Sequence, residues 1–213
     1  MRLNIVIAIL AGLMFLSACS DPASDKTKAV TGEAAPVASQ PATGQGQKYV
    51  ITPQNSQIAF VGSKVTGSHN GSFGEFSGQI DYAGTPEQSR VSINIKSDSI
   101  TTDTPDLTKH LKTADFFDVA KFPKATFTST KIEPGSSDLG TMSYQVTGNF
   151  DLHGVKKSIS FPAIIKVTPE NATVSAEFSI NRKDFGIVYA GKADDLIRDG
   201  VVIKLSLNVP RKK

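Results

Sequence analysis

Apolar and polar residues alternate in eight separate segments of the chain, and this period of two is typical of β-strands with one buried face. The segments are residues 57–67, 76–83, 90–100, 125–132, 143–152, 157–167, 172–180 and 201–209. Turns marked by Pro, Gly, Asn or Asp separate most of them, which predicts an antiparallel meander. Eight such strands can close into a barrel, and closure removes the exposed edges. The sequence therefore predicts an all-β fold, an eight-stranded antiparallel barrel with an apolar interior.

The apolar faces of these strands predict which side chains line the barrel interior. In residues 57–67 the choice is ambiguous, because Ile58 and Phe60 compete with Ala59, Val61 and Val65 for the inside, and we assign Phe60. A shift of one residue in register would move a whole set to the outer face. The side chains predicted to contact a ligand are Phe60, Phe76, Ile80, Ile93, Ile95, Phe116, Phe117, Phe127, Val146, Phe150, Ile159, Phe161, Val174, Phe178, Ile203 and Leu205.

Two long connections interrupt the alternation. In the first, residues 102–124, Pro105 suits a first helical turn, and Leu107 and Leu111 are four residues apart, so a short helical insertion is expected between the third and fourth strands. The second, residues 183–200, is polar and acidic and is expected at the surface.

Four phenylalanines lie in and just after the first connection. Phe116, Phe117 and Phe122 are predicted to lie across or beside one mouth of the barrel, and Phe127 is predicted to re-enter the wall. Two interpretations remain open for the first three: they gate a ligand cavity, or they close the core at one end.

The N-terminus indicates export. Arg2 precedes an apolar run from Leu3 to Leu16, the layout of a secretory signal peptide, so residues 1–18 are assigned to one. Residues 16–19 resemble a bacterial lipobox, which implies lipid attachment at Cys19, and Ser20 resembles the outer-membrane sorting signal. Residues 20–47 consist largely of Ala, Ser, Thr, Pro, Gly and Gln and contain no aromatic residue, so we expect a lipidated cysteine and a disordered tether over 19–47, followed by a barrel domain over 48–213.

Charge and composition exclude several functional classes. The net charge is +3, and Lys and Arg are scattered, so no nucleic-acid surface is predicted. His69, His110 and His153 are far apart in sequence and the chain has one cysteine, so neither a metal site nor a thiol nucleophile is predicted.

Three motifs in sequence order resemble the YceI-like family. They are KHLKTADFFDVAKFPKATFTSTKI at 109–132, VTGNFDLHGVKKSISFP at 146–162 and FSINRKDFGI at 178–187. The resemblance covers residues 48–210. It implies a lipocalin-like barrel in the periplasm or beyond that binds a polyisoprenoid or similar amphiphile, without a catalytic residue set.

Three functions remain open at this stage. The first is a non-catalytic envelope carrier that holds a long-chain isoprenoid, quinone or similar amphiphile and stays attached to the outer membrane, facing the periplasm, through its lipid anchor. The second is a filled barrel that serves as a structural or stress-related interaction protein of the envelope. The third is an enzyme acting on a lipid or quinone, with His110 or His153 as acid or base. No cofactor is expected other than the bound lipid, and the oligomeric state, with a homodimer among the options, is left open.

Overall fold

The computed structural model describes residues 21–36, 46–138 and 141–211, and nearly all of its regular structure is β-strand. The strands are β1 (Val30–Glu33), β2 (Gln47–Ile51), β3 (Ser56–Lys64), β4 (Gly67–Phe73), β5 (Phe76–Tyr82), β6 (Arg90–Lys96), β7 (Ile100–Thr102), β8 (Lys124–Asp138), β9 (Thr141–Leu152), β10 (Val155–Val167), β11 (Asn171–Asn181), β12 (Gly191–Lys192), β13 (Asp195–Leu196) and β14 (Gly200–Pro210). The helices are α1 (Pro105–Leu111) and three 3-10 turns, Pro86–Gln88, Ser97–Ser99 and Arg182–Phe185.

One antiparallel sheet curls into a barrel. Its strand order is β2-β5-β6-β8-β9-β10-β11-β14-β3-β4-β7. The 3-10 turn Ser97–Ser99 divides β6 from β7, and β6 pairs with β8 while β7 pairs with β4, so one bent segment joins the two sides of the sheet. At the opposite end of the barrel, Tyr49 of β2 bridges Arg211 beyond β14.

The predicted fold class is confirmed. All eight predicted segments form strands, namely β3, β5, β6, β8, β9, β10, β11 and β14, and α1 lies between the third and fourth of these as expected. The strand count differs from eight because short strands also form, including β4, whose sequence GSHNGSF lacks the alternation of a half-buried strand. Helix α1 begins at Pro105 and ends at Leu111. Within the described ranges, no helix is long and apolar enough to cross a membrane.

The N-terminal arm, residues 21–36, corrects the expectation of a disordered tether for that part of the chain. Its strand β1 pairs with residues 157–160 of β10, and Lys28 pairs with Ser179 of β11. The ladder between β10 and β11 covers only Ile164–Val167 with Ala172–Ser175, so the arm fills the gap where these strands part. The signal peptide 1–18, Cys19 and residues 37–45 of the expected tether lie outside the described residues.

The lower half of the barrel, away from α1, is filled by side chains. The Phe161 and Phe178 rings stack with their centroids 4.0 Å apart and an interplanar angle of 10°, and Phe127 packs 5.7 Å from Phe161. Tyr49 and Ile51 of β2 are fully buried in the same core. The cavity lies in the other half.

Candidate functional site

A cavity of about 390 Å³ occupies the end of the barrel next to α1. Ligand pockets in proteins span about 300–1,000 Å³, so this volume is sufficient for part of a lipid tail. The lining side chains are mainly apolar and come from the barrel wall, from α1 and the segment after it, and from residues 187–198. Its apolar members are Phe60, Phe73, Ile95, Leu107, Leu111, Phe116, Phe117, Ala125, Phe150, Leu152, Ile180, Ile187, Tyr189, Ile197, Val201 and Ile203.

Aromatic rings from the segment after α1 cover one side of this cavity. Phe116 is buried and contacts the Tyr189 ring edge-on at 5.3 Å between centroids. Phe117 contacts Phe73 at 5.9 Å, and Phe73 in turn contacts Phe60 at 5.9 Å. The Phe116–Tyr189 and Phe117–Phe73 contacts are edge-to-face, and they hold both rings against the cavity.

The other two phenylalanines of this region lie elsewhere. Phe122 packs 4.5 Å from the His153 ring, and Phe127 lies in the wall strand β8. Of the four, Phe116 and Phe117 therefore line the cavity, which makes these two the rings that a ligand would meet.

Arg182 holds the segment that forms the cavity's upper wall. The residue is 4% exposed, and its guanidinium donates to the carbonyl oxygens of Ile187, Ile197 and Arg198 at 2.8, 3.3 and 3.1 Å. Burial lowers the pKa of Arg182, and Asp199, with an oxygen 3.4 Å away, opposes that shift. Because the guanidinium satisfies three carbonyls, it fixes the chain around the small hairpin of β12 and β13.

Two histidine–aspartate pairs stand at the mouth. Nδ1 of His69 lies 2.8 Å from a carboxylate oxygen of Asp103, and Nε2 of His110 lies 2.8 Å from one of Asp115. The Asn70 backbone N–H, and next the His69 ring, lower the pKa of Asp103. Both histidines line the cavity, so they offer polar contacts to a ligand head group.

The third histidine has a different environment. Nδ1 of His153 lies 3.3 Å from the Phe185 carbonyl oxygen, and the residue adopts a φ of 55° in the turn between β9 and β10. His153 is not among the residues that line the cavity. Its role is therefore consistent with a turn residue that makes one hydrogen bond.

The β12–β13 hairpin brings charge to the rim. Lys64, at the end of β3, forms an ion pair with Asp195, and this hydrogen bond lowers the pKa of Asp195. Four cationic side chains line the cavity, Lys64, Arg182, Lys192 and Arg198, with Asp195 as the one carboxylate among the described lining residues. Residues 183–200 are therefore not only a surface connection, because part of this segment builds the mouth.

Sequence reasoning predicted sixteen lining residues, and the structure separates them by depth. Six lie against the cavity: Phe60, Ile95, Phe116, Phe117, Phe150 and Ile203. Ten lie in the hydrophobic core or pack against it, away from the cavity: Phe76, Ile80, Ile93, Phe127, Val146, Ile159, Phe161, Val174, Phe178 and Leu205. The structure places Phe60 on the inner face, where it lines the cavity, and Val61 on the outer face.

Several lining residues were missed. Leu152, Ile180 and Val201 belong to the predicted inner faces, and Leu107 and Leu111 to the predicted helix, so their patterns gave a usable signal. Ile187, Tyr189 and Ile197 lie in a segment whose charges indicated exposure. Among the described residues, no group of three His, Cys, Asp or Glu side chains is arranged to hold a metal ion.

Comparison with known proteins gives consistent matches. A family model for the YceI-like domain matches residues 49–209. A UPF0312 protein of Pseudomonas putida (strain W619) is 33% identical over 147 residues, which is 63% of this chain and 73% of that protein.

Solved structures match at the level of the fold. A polyisoprenoid binding domain from Saccharophagus degradans has a TM-score of 0.62 at 19% identity, over 79% of this chain and 100% of that one. BcnA from Burkholderia cenocepacia has a TM-score of 0.60 at 23% identity, over 72% of this chain and 95% of that one. At these identities the structural matches support the barrel and not a particular ligand.

Proposed function

Because this chain belongs to the YceI-like family, we propose that it is a non-catalytic carrier that holds a long-chain isoprenoid, quinone or similar amphiphile in its barrel. The observation that carries the proposal is the apolar cavity of about 390 Å³ with charged and histidine side chains at its mouth. An apolar tail fits the inner part and a polar head fits the rim. The name of the Saccharophagus degradans domain refers to polyisoprenoid binding, and we carry this ligand class to the present chain as part of the proposal.

The energetics of burial support a ligand whose apolar tail lies inside the cavity and whose polar head lies at the rim. Each buried methylene contributes about 0.8 kcal/mol, so a tail with about ten buried carbons would gain on the order of 8 kcal/mol before ordering costs. That gain requires no charged contact inside the cavity. The head group can then be held by hydrogen bonds from His110 and by the cations Lys64 and Lys192 at the rim.

We extend the proposal to location. The signal-peptide pattern of residues 1–18 and the lipobox-like cysteine Cys19 support a lipoprotein of the bacterial envelope, anchored in the outer membrane and facing the periplasm. A lipid-anchored carrier would remain beside the membranes that contain such amphiphiles.

Mass spectrometry of organic extracts from the natively purified chain tests the carrier proposal. We expect one long-chain amphiphile per chain. The variant Ala125→Leu should lose it, because Ala125 is 2% exposed and lines the cavity, so a larger side chain takes the space of the tail. Ala59→Leu is the matched control, because Ala59 lies on the outer face between Ile58 and Phe60, which point inward. Thermal unfolding of both variants checks that each is folded.

Two results would contradict the proposal. An extract of the unmodified chain that contains no amphiphile would favour the filled barrel with a structural or interaction role. An equal ligand content in folded Ala125→Leu and Ala59→Leu would show that the tail lies outside this cavity.

The histidine–aspartate pairs favour an enzyme acting on a lipid or quinone as the second candidate function. A carboxylate that holds a histidine ring can orient it as a general base, and both pairs border the cavity. An enzyme would change the mass of the extracted amphiphile on incubation, and His110→Gln or His69→Gln would stop that change. A carrier would return the amphiphile unaltered.

A further inference from the structure

The N-terminal arm is built into the barrel wall. The backbone N–H of Ala29 donates to the Ser179 carbonyl at 2.8 Å, and the Ser179 N–H donates to the Thr27 carbonyl at 2.9 Å. Further along, the Asn149 side chain exchanges two hydrogen bonds with the Ala35 backbone, at 3.0 and 2.7 Å. These contacts fix the arm at both β11 and β9.

The outer face of the barrel beneath the arm is apolar at two positions. Val61 and Val202 are paired neighbours on β3 and β14, and both point away from the barrel interior into the groove beside Asp21 and Pro22. They are nevertheless 7% and 1% exposed. Two buried valines on an outer face indicate a wall that is complete only with the arm in place.

The arm starts at the mouth of the cavity. Asp21 forms an ion pair with Arg198 at 3.7 Å, and Arg198 lines the cavity. Ala23 packs so closely on Gly200 that a Cβ there would lie 2.9 Å from it. The first residue of the arm therefore lies beside the mouth. In the sequence, the lipobox-like Cys19 precedes Asp21 by two residues.

The rim of the mouth exposes apolar side chains. Val65, Val188 and Leu196 are 52%, 64% and 49% exposed. Val65 and Leu196 are adjacent, because the Val65 N–H donates to the Leu196 carbonyl at 3.1 Å. Lys64 and Lys192 lie on the same rim, and lysines beside apolar side chains suit an interface with anionic lipid headgroups.

We propose that this rim docks on the lipid surface in which the N-terminus is anchored, so that the cavity opens directly onto the membrane. The arm, acting as a short strap, would hold the mouth towards the headgroups. A tail could then pass between bilayer and barrel without crossing water. This inference rests on the proposed anchoring at Cys19 and needs no particular ligand.

Tryptophan fluorescence tests the orientation, because the chain contains no tryptophan. The full chain, exported and processed through its own N-terminus, is reconstituted in vesicles of phosphatidylethanolamine and phosphatidylglycerol with brominated acyl chains, which quench nearby indoles. Leu196→Trp reports on the rim. Val50→Trp is the matched control, since Val50 is 42% exposed and lies on β2 beside the turn that precedes β3, at the opposite end from Lys64.

We expect the emission of Leu196→Trp to fall by roughly half, as for a side chain at the headgroup and acyl boundary. The emission of Val50→Trp should stay unchanged. In the Leu196→Trp background, Ala29→Asp should release the arm and abolish the quenching while the chain stays bound to vesicles. Val30→Asp should preserve it, because Ala29 is 3% exposed and Val30 is 69% exposed.

Three results would overturn the docking proposal. If the chain binds vesicles but the emission of Leu196→Trp is not quenched, the mouth does not face the membrane. If mass spectrometry finds no acylated N-terminal peptide and the chain does not bind vesicles, the anchor is absent. A blue shift of Leu196→Trp emission with protein concentration, in the absence of vesicles, would show that a second copy covers the rim. Quenching together with an empty lipid extract would support docking, and it would contradict only the carrier function.

Discussion

A carboxylate placed at Ala29 should release the N-terminal arm and leave the barrel folded. Ala29 is 3% exposed and belongs to the hydrophobic core, whereas its neighbour Val30 is 69% exposed. Ala29→Asp therefore buries a charge that Val30→Asp leaves in water. Both variants introduce an aspartate, at positions one residue apart, so the difference between them reports the effect of burying the charge under the docked arm.

The magnitude follows from the contacts of the arm. The four hydrogen bonds that join the arm to Ser179 and Asn149 contribute about 0.5–1.5 kcal/mol each, on the order of 2–6 kcal/mol together, and the ladder between β1 and β10 adds to this, all before the cost of ordering the chain. An uncompensated buried charge costs about 3 kcal/mol or more. Since the two quantities are comparable, the arm should detach before the barrel unfolds. A cost of about 3 kcal/mol raises the detached population about 100-fold.

Limited trypsin digestion measures that population. The target is the Lys26–Thr27 bond, because Lys26 is paired with Glu177 when the arm is docked and neither variant changes the residues at this bond. When opening and closing are fast, the cleavage rate follows the population of the open form. We expect cleavage of Ala29→Asp to be about 100-fold faster than that of the unmodified chain, and Val30→Asp to match the unmodified chain. Equal rates for both variants, with the barrel still folded by circular dichroism, would refute the reasoning.

Three further predictions concern the wall, the mouth and acid stability. Gly148→Ala should lower stability by about 1–3 kcal/mol in thermal unfolding, because its Cβ would lie 2.6 Å from a backbone carbonyl, whereas Gly67→Ala has open space and should be neutral. Arg182→Met should leave three carbonyl oxygens without their donor, which costs about 1–3 kcal/mol of stability for each buried group. Amide hydrogen exchange should therefore accelerate across residues 187–199 and stay unchanged in the lower core. Asp103 has a pKa below its ordinary 3.8, so its stabilising contribution is complete above that pH and is lost as the pH falls through the folded-state pKa. The Tm of Asp103→Asn should accordingly lie below that of the unmodified chain at neutral pH and converge with it in strong acid; a constant difference would contradict this.

The wall strands were predictable because each strand of an antiparallel barrel has one face towards solvent and one towards the interior. This constraint produces a period of two in the sequence, as in β14, where Ile203, Leu205 and Leu207 share a face. The alternation identifies the face and says nothing about depth along the barrel axis. Ile203 lines the cavity, while Leu205, two residues further along the same face, packs against the core.

The arm was not predictable from composition because its docking depends mainly on the backbone. Strand pairing uses N–H and C=O groups that every residue except proline offers, so a segment rich in Ala, Ser and Thr can insert into a sheet without an apolar pattern. The structure shows the effect of the arm on its partner strand. Phe178, Ser179 and Ile180 are all buried, and three consecutive buried residues on a wall strand require cover on both faces.

The arm also explains why the cavity lies at one end of the barrel. Where β10 and β11 pair directly, the interior below is filled, and the stacked Phe161 and Phe178 rings mark the boundary. Above them β1 enters between the two strands and adds a strand to the wall. Because barrel diameter grows with the number of strands, this insertion widens the barrel at the end that contains the cavity. Residues 21–36 are thus a part of the wall at the end of the barrel that contains the cavity.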